Sequence, residues 1–308
     1  MSVVLLTGGV GGAKLALGLS HLVAPGDLTA IVNTGDDFVH LGLTVSPDVD
    51  TLTYTLAGLS DEVRGWGRTG ETWNFMAALR ALGGVDWFNL GDSDLATHVE
   101  RSRRLAAGET LSVITADFAQ TLGIATRIVP MSDQSVATRI ATDEGELGFQ
   151  QYFVGRHCEP RLLSLRFVGA ETARPAPGAL AALADPALTA VLIAPSNPWL
   201  SIDPMLAVPG LAEAIRAAQV PVVAVTPLPG GRAVKGPTAK IMGELGLPTK
   251  AGAIADHYHG LIDALLLDEA DRGADMALPH AFADTIMVSL EDRVRVARAA
   301  LDLAQRVS

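Results

Sequence analysis

Cysteine is almost absent from this chain: Cys158 is the single one in 308 residues. One thiol cannot form an internal disulfide, and a zinc site built from several cysteines is excluded. Proteins of reducing compartments have this composition. We therefore expect a cytoplasmic protein.

Long apolar runs are missing too. The first run is only about four residues long before the glycines begin at Gly8, and no basic segment precedes it, so a secretory signal is not expected. The most apolar stretch, residues 179–194, is interrupted by Asp185, Pro186 and Thr189. It falls short of the roughly 18 uninterrupted apolar residues that indicate a membrane span. The sequence thus predicts no membrane partner.

Positive charge and aromatic side chains are scarce. With 23 Lys and Arg against 34 Asp and Glu, the net charge is −11, and the broad basic surface that binds nucleic acid is not expected. A single nucleotide needs only local donors and is not excluded. Aromatic residues make up 5% of the chain, and Ala, Leu, Val and Gly supply the apolar content. This composition is typical of β-strands covered by helices.

Short apolar runs alternate with segments of helical spacing at both ends of the chain. The alternation predicts an α/β fold with a Rossmann-like, doubly wound and mainly parallel sheet, whose ligands bind beyond the carboxyl ends of its strands. We expect this core in residues 1–135 and 180–308, with a largely helical block at 50–125 and a small inserted α+β subdomain at 136–179. The predicted core strands are 3–6, 28–32, 124–130, 190–194, 220–226 and, as the last, 264–267.

A glycine-rich loop follows the first predicted strand. It contains four glycines, and a helix with Lys14 one turn in follows it. Glycine lets the backbone approach a ligand closely, and a helix N-terminus favours an anion. Lys14 occupies the third small-residue position of the dinucleotide fingerprint, and Leu15 stands where a P-loop has Ser or Thr. We predict a phosphate-binding loop of neither standard type; a turn needed only for packing is the alternative. The four glycines are Gly8, Gly9, Gly11 and Gly12.

Aspartates crowd the region after the second predicted strand. Carboxylates repel a phosphate unless a cation lies between them, and Mg²⁺ is usually held by one or two carboxylates plus substrate phosphates. The alternative is that they cap turns and helices, as Asp50 could do at a helix N-terminus. The candidate Mg²⁺ ligands are Asp36, Asp37, Asp48 and Asp50.

Other polar segments could contact a phosphate or a base, with a solvated helix face or a plain turn as the alternative. His98 and Arg101 lie three residues apart on one predicted helix face. Ser196 and Asn197 lie between two prolines at a strand end, and the basic loop 235–240 precedes a helix. That loop begins with Lys235 and ends with Lys240.

Seven motifs together resemble the 2-phospho-L-lactate transferases of coenzyme F-420 biosynthesis. They lie at residues 8–14, 33–37, 46–51, 64–67, 90–98, 130–133 and 194–198. The resemblance runs from the first strand to Arg272, nearly the whole chain.

This resemblance implies a phosphotransferase reaction. The donor would be a guanosine diphosphate linked to a three-carbon acid, giving a phospholactyl, phosphoenolpyruvyl or phosphoglyceryl group. The acceptor would be the deazaflavin alcohol Fo. Its ribityl hydroxyl would attack the phosphorus that carries the acid, and GMP would leave. The family resemblance also implies Mg²⁺ and a homodimer.

The matched motifs suggest roles for individual residues. The family's deazaflavin-contacting aspartate corresponds to Asp50, the first candidate for a catalytic residue, with Asp48 the second. The block 50–125 would lie on the acceptor side, while the glycine loop, Ser196 and Asn197 would hold the nucleotide. Ser93 stands where many members carry arginine, and Arg101 or Arg103 could replace it. The remaining candidate binding residues are Asn33, Asp92, Asp94, Thr97, His98, Arg101 and Lys240.

Two other functions stay open at this point. Proteins with this fold and glycine loop also act as non-catalytic regulators that bind a nucleotide sugar, but the Asp48–Asp50 and 91–98 motifs favour an enzyme with an acceptor. An NAD-dependent oxidoreductase, with Asp36 on the ribose, is disfavoured by Lys14 in the third glycine position.

Overall fold

The computed structural model describes residues 2–232, 236–274 and 276–308. Its strands are β1 (Ser2–Thr7), β2 (Leu28–Val32), β3 (Phe38–His40), β4 (Leu43–Val45), β5 (Arg127–Pro130), β6 (Ala137–Thr142), β7 (Gly145–Gly148), β8 (Leu162–Val168), β9 (Leu188–Ile193), β10 (Val222–Val225), β11 (Ala264–Asp268) and β12 (His280–Ala283). Its α-helices are α1 (Gly9–Ser20), α2 (Pro47–Leu56), α3 (Asn74–Ala81), α4 (Asp92–Ala106), α5 (Leu111–Thr121), α6 (Pro177–Leu183), α7 (Asp203–Leu206), α8 (Leu211–Ala217), α9 (Thr238–Glu244), α10 (Ala251–His257) and α11 (Leu290–Arg306).

Seven strands form one parallel sheet in the order β12-β11-β10-β9-β1-β2-β5. From β1 the chain winds outward through β2 to β5. It then returns to β9 on the other side of β1 and winds outward again to β12. The switch point between β1 and β9 is where a doubly wound sheet binds its ligand. The predicted Rossmann-like α/β fold is confirmed.

The core strands are continuous apolar runs because both faces of the sheet are covered. In β1, Val3 and Leu5 pack into one hydrophobic cluster with α1 and α11, whereas Val4 and Leu6 pack into the other with α6 and α8. Successive side chains of a strand point to opposite faces, so every position of a covered strand must be apolar.

The edge strand β12 corrects one expectation. The prediction that 264–267 is the last strand is wrong, because β12 pairs with β11 at the edge of the sheet. β12 has four residues, all only half-buried, so it lacks the apolar run by which a covered strand is recognised in a sequence.

Residues 137–168 form a separate antiparallel sheet in the order β7-β6-β8, with a short π-helical turn at Gln151–Gly155. We call residues 137–168 the insertion; the wider limits 136–179 stay a prediction. The helices α3, α4 and α5 and most of α2 lie in 50–125. Within the described residues, no helix has the length and apolarity needed to cross a bilayer.

Candidate active site

A cleft of about 760 Å³ opens at the carboxyl ends of the parallel strands. Residues 8–11 border it after β1, Asp36 after β2, 195–197 after β9 and 226–227 after β10. The cleft therefore spans the switch point, and its volume suits a small-molecule ligand.

The glycine loop is closed by Ser196 from the opposite side of the switch point. The Ser196 hydroxyl accepts from the Gly8 N–H at 3.1 Å and donates to the Gly8 carbonyl at 2.7 Å. A Cβ on Gly12 would lie 2.1 Å from Thr7 Oγ1 and 2.9 Å from Ser196 Oγ. Ser196 thus orders the loop, and Gly12 is required for packing.

Gly8 and Gly11 are explained by close packing, and Gly9 is explained by its backbone. A Cβ on Gly8 would lie 2.6 Å from Asp48 Oδ2, and one on Gly11 would lie 2.9 Å from the Pro195 carbonyl. Gly9 has a φ of +65° and no atom within 4 Å of a Cβ position. Packing accounts for three of the four glycines, whereas Gly9 begins α1 beside open space.

Lys14 lines the same cleft one turn into α1. Its Nζ donates to the Met287 carbonyl at 2.6 Å. This contact joins α1 to the segment after β12 and brings a positive charge to the cleft wall, next to the N-terminus of α1, which favours an anion.

Asp48 is held at the cleft by two hydrogen bonds. Its Oδ1 accepts from the Gly9 N–H at 2.8 Å, and its Oδ2 accepts from Asn33 Nδ2 at 2.9 Å. The Asn33 side-chain carbonyl in turn accepts from the Gly35 N–H at 2.8 Å. Burial raises the pKa of Asp48 to about 6. Asn33 therefore orients Asp48 from behind and is not part of the cleft lining.

Asp36 is buried and Asp37 half-buried beside Asp48, and each has one buried carboxylate oxygen, Oδ1, without a hydrogen-bond partner among the described residues. Burial, and then the charge of Asp48, raises the pKa of Asp36 well above its ordinary value. Burial likewise raises the pKa of Asp37, against a hydrogen bond that its Oδ2 accepts from Ser46 at 2.7 Å. Buried charge is costly unless a partner offsets it.

These carboxylates fit a cation that is completed by a ligand. No group of three or more His, Cys, Asp or Glu side chains within residues 2–232, 236–274 and 276–308 is arranged to hold a metal. Mg²⁺ is nonetheless usually held by one or two carboxylates plus phosphate oxygens. Asp36 and Asp48 both line the cleft and meet that lower requirement.

Asp50 is engaged elsewhere. It lies in the fourth position of α2, whose N-cap is Ser46, so the N-cap alternative for Asp50 is wrong. Both of its carboxylate oxygens accept from the guanidinium of Arg101, one of them at 3.1 Å. Both side chains are buried, and neither borders the cleft. Burial lowers the pKa of Arg101, but the charge and hydrogen bonds of Asp50 raise it, and the net shift is upward.

Three other acceptor-side candidates, Asp94, Thr97 and His98, join this pair in a polar network between α2 and α4. His98 Nε2 lies 3.3 Å from Asp94 Oδ2, and its Nδ1 lies 3.7 Å from Asp50 Oδ2. The Tyr54 hydroxyl donates to Asp94 Oδ1 at 2.6 Å and accepts from the Thr97 hydroxyl at 3.0 Å. Burial raises the pKa of Asp94, but the contacts with His98 and Tyr54 lower it, and the net shift is downward.

Asp92 caps a neighbouring helix. It accepts from Thr72 Oγ1 at 2.6 Å and from the Phe75 N–H, at the start of α3, at 3.0 Å. These hydrogen bonds lower its pKa to about 2. Asp92 therefore has a capping role at the start of α3. It does not line the cleft.

Asn197 and Lys240 have structural partners. Asn197 lines the cleft, but its Oδ1 accepts from the Trp199 and Leu200 N–H groups at 3.0 and 3.1 Å. Lys240 Nζ donates to Tyr152 OH at 3.1 Å and to Glu244 at 2.6 Å, so it ties α9 to the insertion. Lys235 lies outside the described residues.

Aromatic and cationic side chains in the cleft wall were not predicted as site residues. The Arg64 guanidinium lies 5.3 Å from the Trp66 ring centroid and 5.0 Å from that of Trp73. The 64–67 motif was the sequence signal for Arg64 and Trp66. The unpredicted lining residues of this kind are Arg64, Trp66, Phe88, Phe149, Phe153 and His157.

Comparison with known protein families gives one match across almost the whole chain. The family model described as 2-phospho-L-lactate transferase CofD matches residues 3–302. This confirms the family resemblance that the sequence motifs carry.

Several proteins named phosphoenolpyruvate transferase are similar over nearly their full length. A phosphoenolpyruvate transferase of Kitasatospora aureofaciens is 42% identical, with 100% of this chain and 99% of that protein covered. Phosphoenolpyruvate transferases of Streptomyces coelicolor, 40% identical with the same coverage, and of Mycolicibacterium smegmatis, 36% identical with 99% of each chain covered, are similar as well.

One solved structure shares the fold. A member of the UPF0052 family from Bacillus halodurans superposes with a TM-score of 0.64 at 17% identity, covering 97% of this chain and 98% of that one. At this identity the likeness supports the fold alone.

Proposed function

Because the chain belongs to the 2-phospho-L-lactate transferase family, we propose that it transfers a phosphoenolpyruvyl group from a guanosine diphosphate-linked donor to the deazaflavin Fo in coenzyme F-420 biosynthesis. The relatives named phosphoenolpyruvate transferase are 35–42% identical over nearly the whole length. They support this three-carbon acid over the phospholactyl and phosphoglyceryl alternatives.

The observation that carries the proposal is the pairing of a helix N-terminus with two buried carboxylates in one cleft. Gly9 opens α1 beside open space, and Lys14 lies one turn further on. The N-terminus and the lysine favour the donor's diphosphate. Asp36 and Asp48 border the same cleft, where carboxylates without a cation would repel that diphosphate.

Asp36 and Asp48 would hold Mg²⁺, which would offset the charge that develops on the transferred phosphorus. Asn33 and the Gly9 N–H keep Asp48 turned toward the cleft. Asp37, which accepts a hydrogen bond from Ser46, lies beside this pair. Asp50 would support the site indirectly, because its ion pair with Arg101 joins α2 to α4.

The transfer is a single displacement at phosphorus. The ribityl hydroxyl oxygen of the acceptor forms the new P–O bond while the P–O bond to GMP breaks. GMP leaves with the bonding electrons, and the hydroxyl proton is released. The protein's contribution is alignment of the attacking and leaving oxygens and electrostatic stabilisation.

The test is turnover by purified protein with Fo, Mg²⁺ and each of the three donors, followed by mass spectrometry of the product and release of GMP. We expect the phosphoenolpyruvyl adduct to form fastest. A faster phospholactyl or phosphoglyceryl reaction would correct the acid while leaving the reaction type intact. Absence of product with every donor, together with binding of a nucleotide sugar, would identify the non-catalytic regulator instead.

A further inference from the structure

Two segments that border the cleft are joined by one buried arginine. Arg293 is the fourth residue of α11 and is 6% exposed. Its guanidinium donates to Glu62 Oε1 at 2.5 Å and to the Val288 carbonyl at 3.4 Å. Val288 lines the cleft, and so do residues 64–66, just after Glu62. Arg293 does not line the cleft, so it holds both segments from behind.

The stability of α11 does not account for an arginine at this position. A cation near the N-terminus of a helix opposes the helix dipole. The helix is already capped by Ser289 and Asp292. In the part of the chain that the structure describes, Arg293 Nε is buried without a hydrogen-bond partner, which costs free energy. We therefore look for the reason for Arg293 in the segments that it joins.

The first of these segments, residues 285–288, is a fixed border of the cleft. The Thr285 N–H and hydroxyl donate to the buried Asp268 at 2.8 and 2.7 Å. The next three carbonyls accept, in chain order, from the cationic side chains of Arg295, Lys14 and Arg293. The backbone of α11 is fixed as well, because a Cβ on Gly18 of α1 would lie only 2.1 Å from the Arg293 carbonyl. Arg293 therefore belongs to the rigid side of the pair.

The second segment is a compact loop. We call residues 60–69 the flap. Its two ends are joined by an antiparallel bridge between Ser60 and Arg68. Inside it, the Gly65 N–H donates to the Asp61 carbonyl at 2.8 Å, and Gly65 has a φ of +75°, which glycine adopts without strain. Compact loops whose ends lie close together are frequently functional.

The flap has little buried surface with which to hold itself against the protein. Val63 is 98% exposed and Trp66 is 46% exposed. Segments with few buried apolar contacts open locally at low free energy. Glu62 connects the flap to Arg293, and this hydrogen bond lowers the pKa of Glu62. The carboxylate is therefore ionised when it pairs with the guanidinium.

We propose that Arg293 is a positioning residue for the transfer reaction, because its pair with Glu62 holds the flap against the 285–288 segment and keeps the cleft closed. This inference rests on the proposed function and adds to it a residue that touches no substrate. The pair sets the position of residues 64–66, which line the cleft. The Glu62 side chain is 64% exposed, and ion pairs with an exposed partner are weak. The flap can therefore open for substrate entry and product release, as active-site loops do.

The first test measures opening of the flap without any turnover. It compares Glu62→Gln with the wild type and with Glu146→Gln, a matched change in the exposed pair of Glu146 with Arg166 outside the cleft. The readout is the rate of tryptic cleavage after Arg64 and Arg68, the two tryptic sites of the flap. Glu62→Gln is expected to raise this rate about fivefold, because cleavage follows the population of the open form. Glu146→Gln should leave it unchanged.

The second test separates positioning from stability by steady-state kinetics. Glu62→Gln is expected to raise the KM for Fo about fivefold, because a smaller fraction of the protein has the competent, closed flap. Saturating substrate restores the closed form, so kcat should stay within about twofold. GDP affinity and melting temperature should be unchanged. Arg293→Met removes the same pair from the other side, and the double variant should raise KM no further than the single variants do.

Other results overturn the proposal. Wild-type cleavage of the flap in Glu62→Gln would show that the pair does not hold it. Selective flap cleavage with unchanged KM would show that closure has no part in the reaction. Faster cleavage throughout the chain, with a lowered melting temperature, would make the pair merely structural. A fall in kcat at unchanged KM would place Glu62 in the chemical step.

Failure of the proposed function gives a different pattern. Wild-type protein that converts no donor in the presence of Fo overturns the transfer reaction and with it the role of Arg293 in that reaction. Selective flap cleavage in Glu62→Gln would then still show that the pair closes the cleft. Normal wild-type turnover with wild-type behaviour of Glu62→Gln in both tests overturns only the inference about Arg293.

Discussion

Two neighbouring carboxylates decide the charge balance of the cleft. Asp36 has a buried oxygen with no hydrogen-bond partner in the part of the chain that the structure describes, whereas Asp48 has a hydrogen bond on each oxygen. In the absence of a cation the ionised form of Asp36 costs free energy in the folded state, and its raised pKa expresses that cost. A bound cation would remove the cost, so stability and metal binding should be linked at this residue.

We predict that Asp36→Asn weakens the pH dependence of stability in metal-free protein. The folded pKa of Asp36 lies above its unfolded value of about 3.9. At pH values above that unfolded value, the folded state therefore keeps more protons bound than the unfolded state does. The free energy of unfolding then falls with rising pH. Asn cannot ionise, so the variant should lose less stability on going to pH 8, while Mg²⁺-dependent turnover falls at least about 100-fold.

Urea unfolding in chelator across this pH range measures the effect, with Asp256→Asn, an exposed residue of α10, as the control. A variant with the wild-type pH dependence, or with full turnover, would remove Asp36 from the proposed metal site.

We predict that Asp50→Asn destabilises the protein strongly. Arg101 is 1% exposed and pairs with Asp50. Removing one charge of a buried pair leaves the other uncompensated, which costs about 3–5 kcal/mol. Urea denaturation measures this loss. The double variant Asp50→Asn, Arg101→Met should recover part of it, since both charges are then absent.

A surface pair supplies the control for this prediction: Asp117→Asn removes a half-exposed partner of Arg104 and should cost little. If Asp50→Asn unfolds like the wild type but has lost turnover, Asp50 acts in catalysis, as the family resemblance implies, and the ion pair is not its main role.

At the scale of elements, α1 shows why its glycines are not equivalent. Gly8, Gly11 and Gly12 allow the loop after β9 and the side chains of Asp48 and Thr7 to approach the backbone. Substitution there overpacks a tight contact and tests packing. Gly9 has a positive φ and open space around its Cβ position. Of the four glycines, only Gly9 can therefore be substituted to test ligand binding without creating a packing clash.

We predict that Gly9→Ala lowers GDP affinity at least about tenfold, because its Cβ projects into the space where the diphosphate would bind. The matched control is Gly26→Ala, which also has positive φ and no atom within 4 Å of the new Cβ but lies outside the cleft. Left-handed backbone costs a non-glycine residue about 1–2 kcal/mol, so both variants should lose similar stability in thermal unfolding.

Calorimetric titration with GDP then distinguishes the two positions. Equal GDP affinity in the two folded variants would contradict a phosphate site at this helix N-terminus, and the glycine loop would then serve packing alone.

At the scale of the whole molecule, the cleft exists because the sheet reverses its winding direction at β1. The reversal brings Gly8 and Ser196, 188 residues apart, into a reciprocal pair of hydrogen bonds. It also brings the insertion after β5 into contact with α9. Mg²⁺, the homodimer and the cytoplasmic location stay predictions that follow from the family and the composition.

The sequence by itself determined the sheet and the family. Strands covered on both faces must be apolar at every position, and such runs are visible without coordinates. Glycine and aspartate motifs at strand ends pointed to the switch point, because parallel strands end at one edge of the sheet. The half-buried strand β12 was missed because it lacks that apolar signal.

Only the tertiary structure decided which polar residues face the cleft. Asp48 and Asp50 are two positions apart on α2, yet one borders the cleft and the other pairs with Arg101 inside the protein. A polar residue type does not tell whether its partner is a ligand or another side chain. That depends on the packing of α2 against α4 and of the insertion against α9, contacts between segments far apart in the chain.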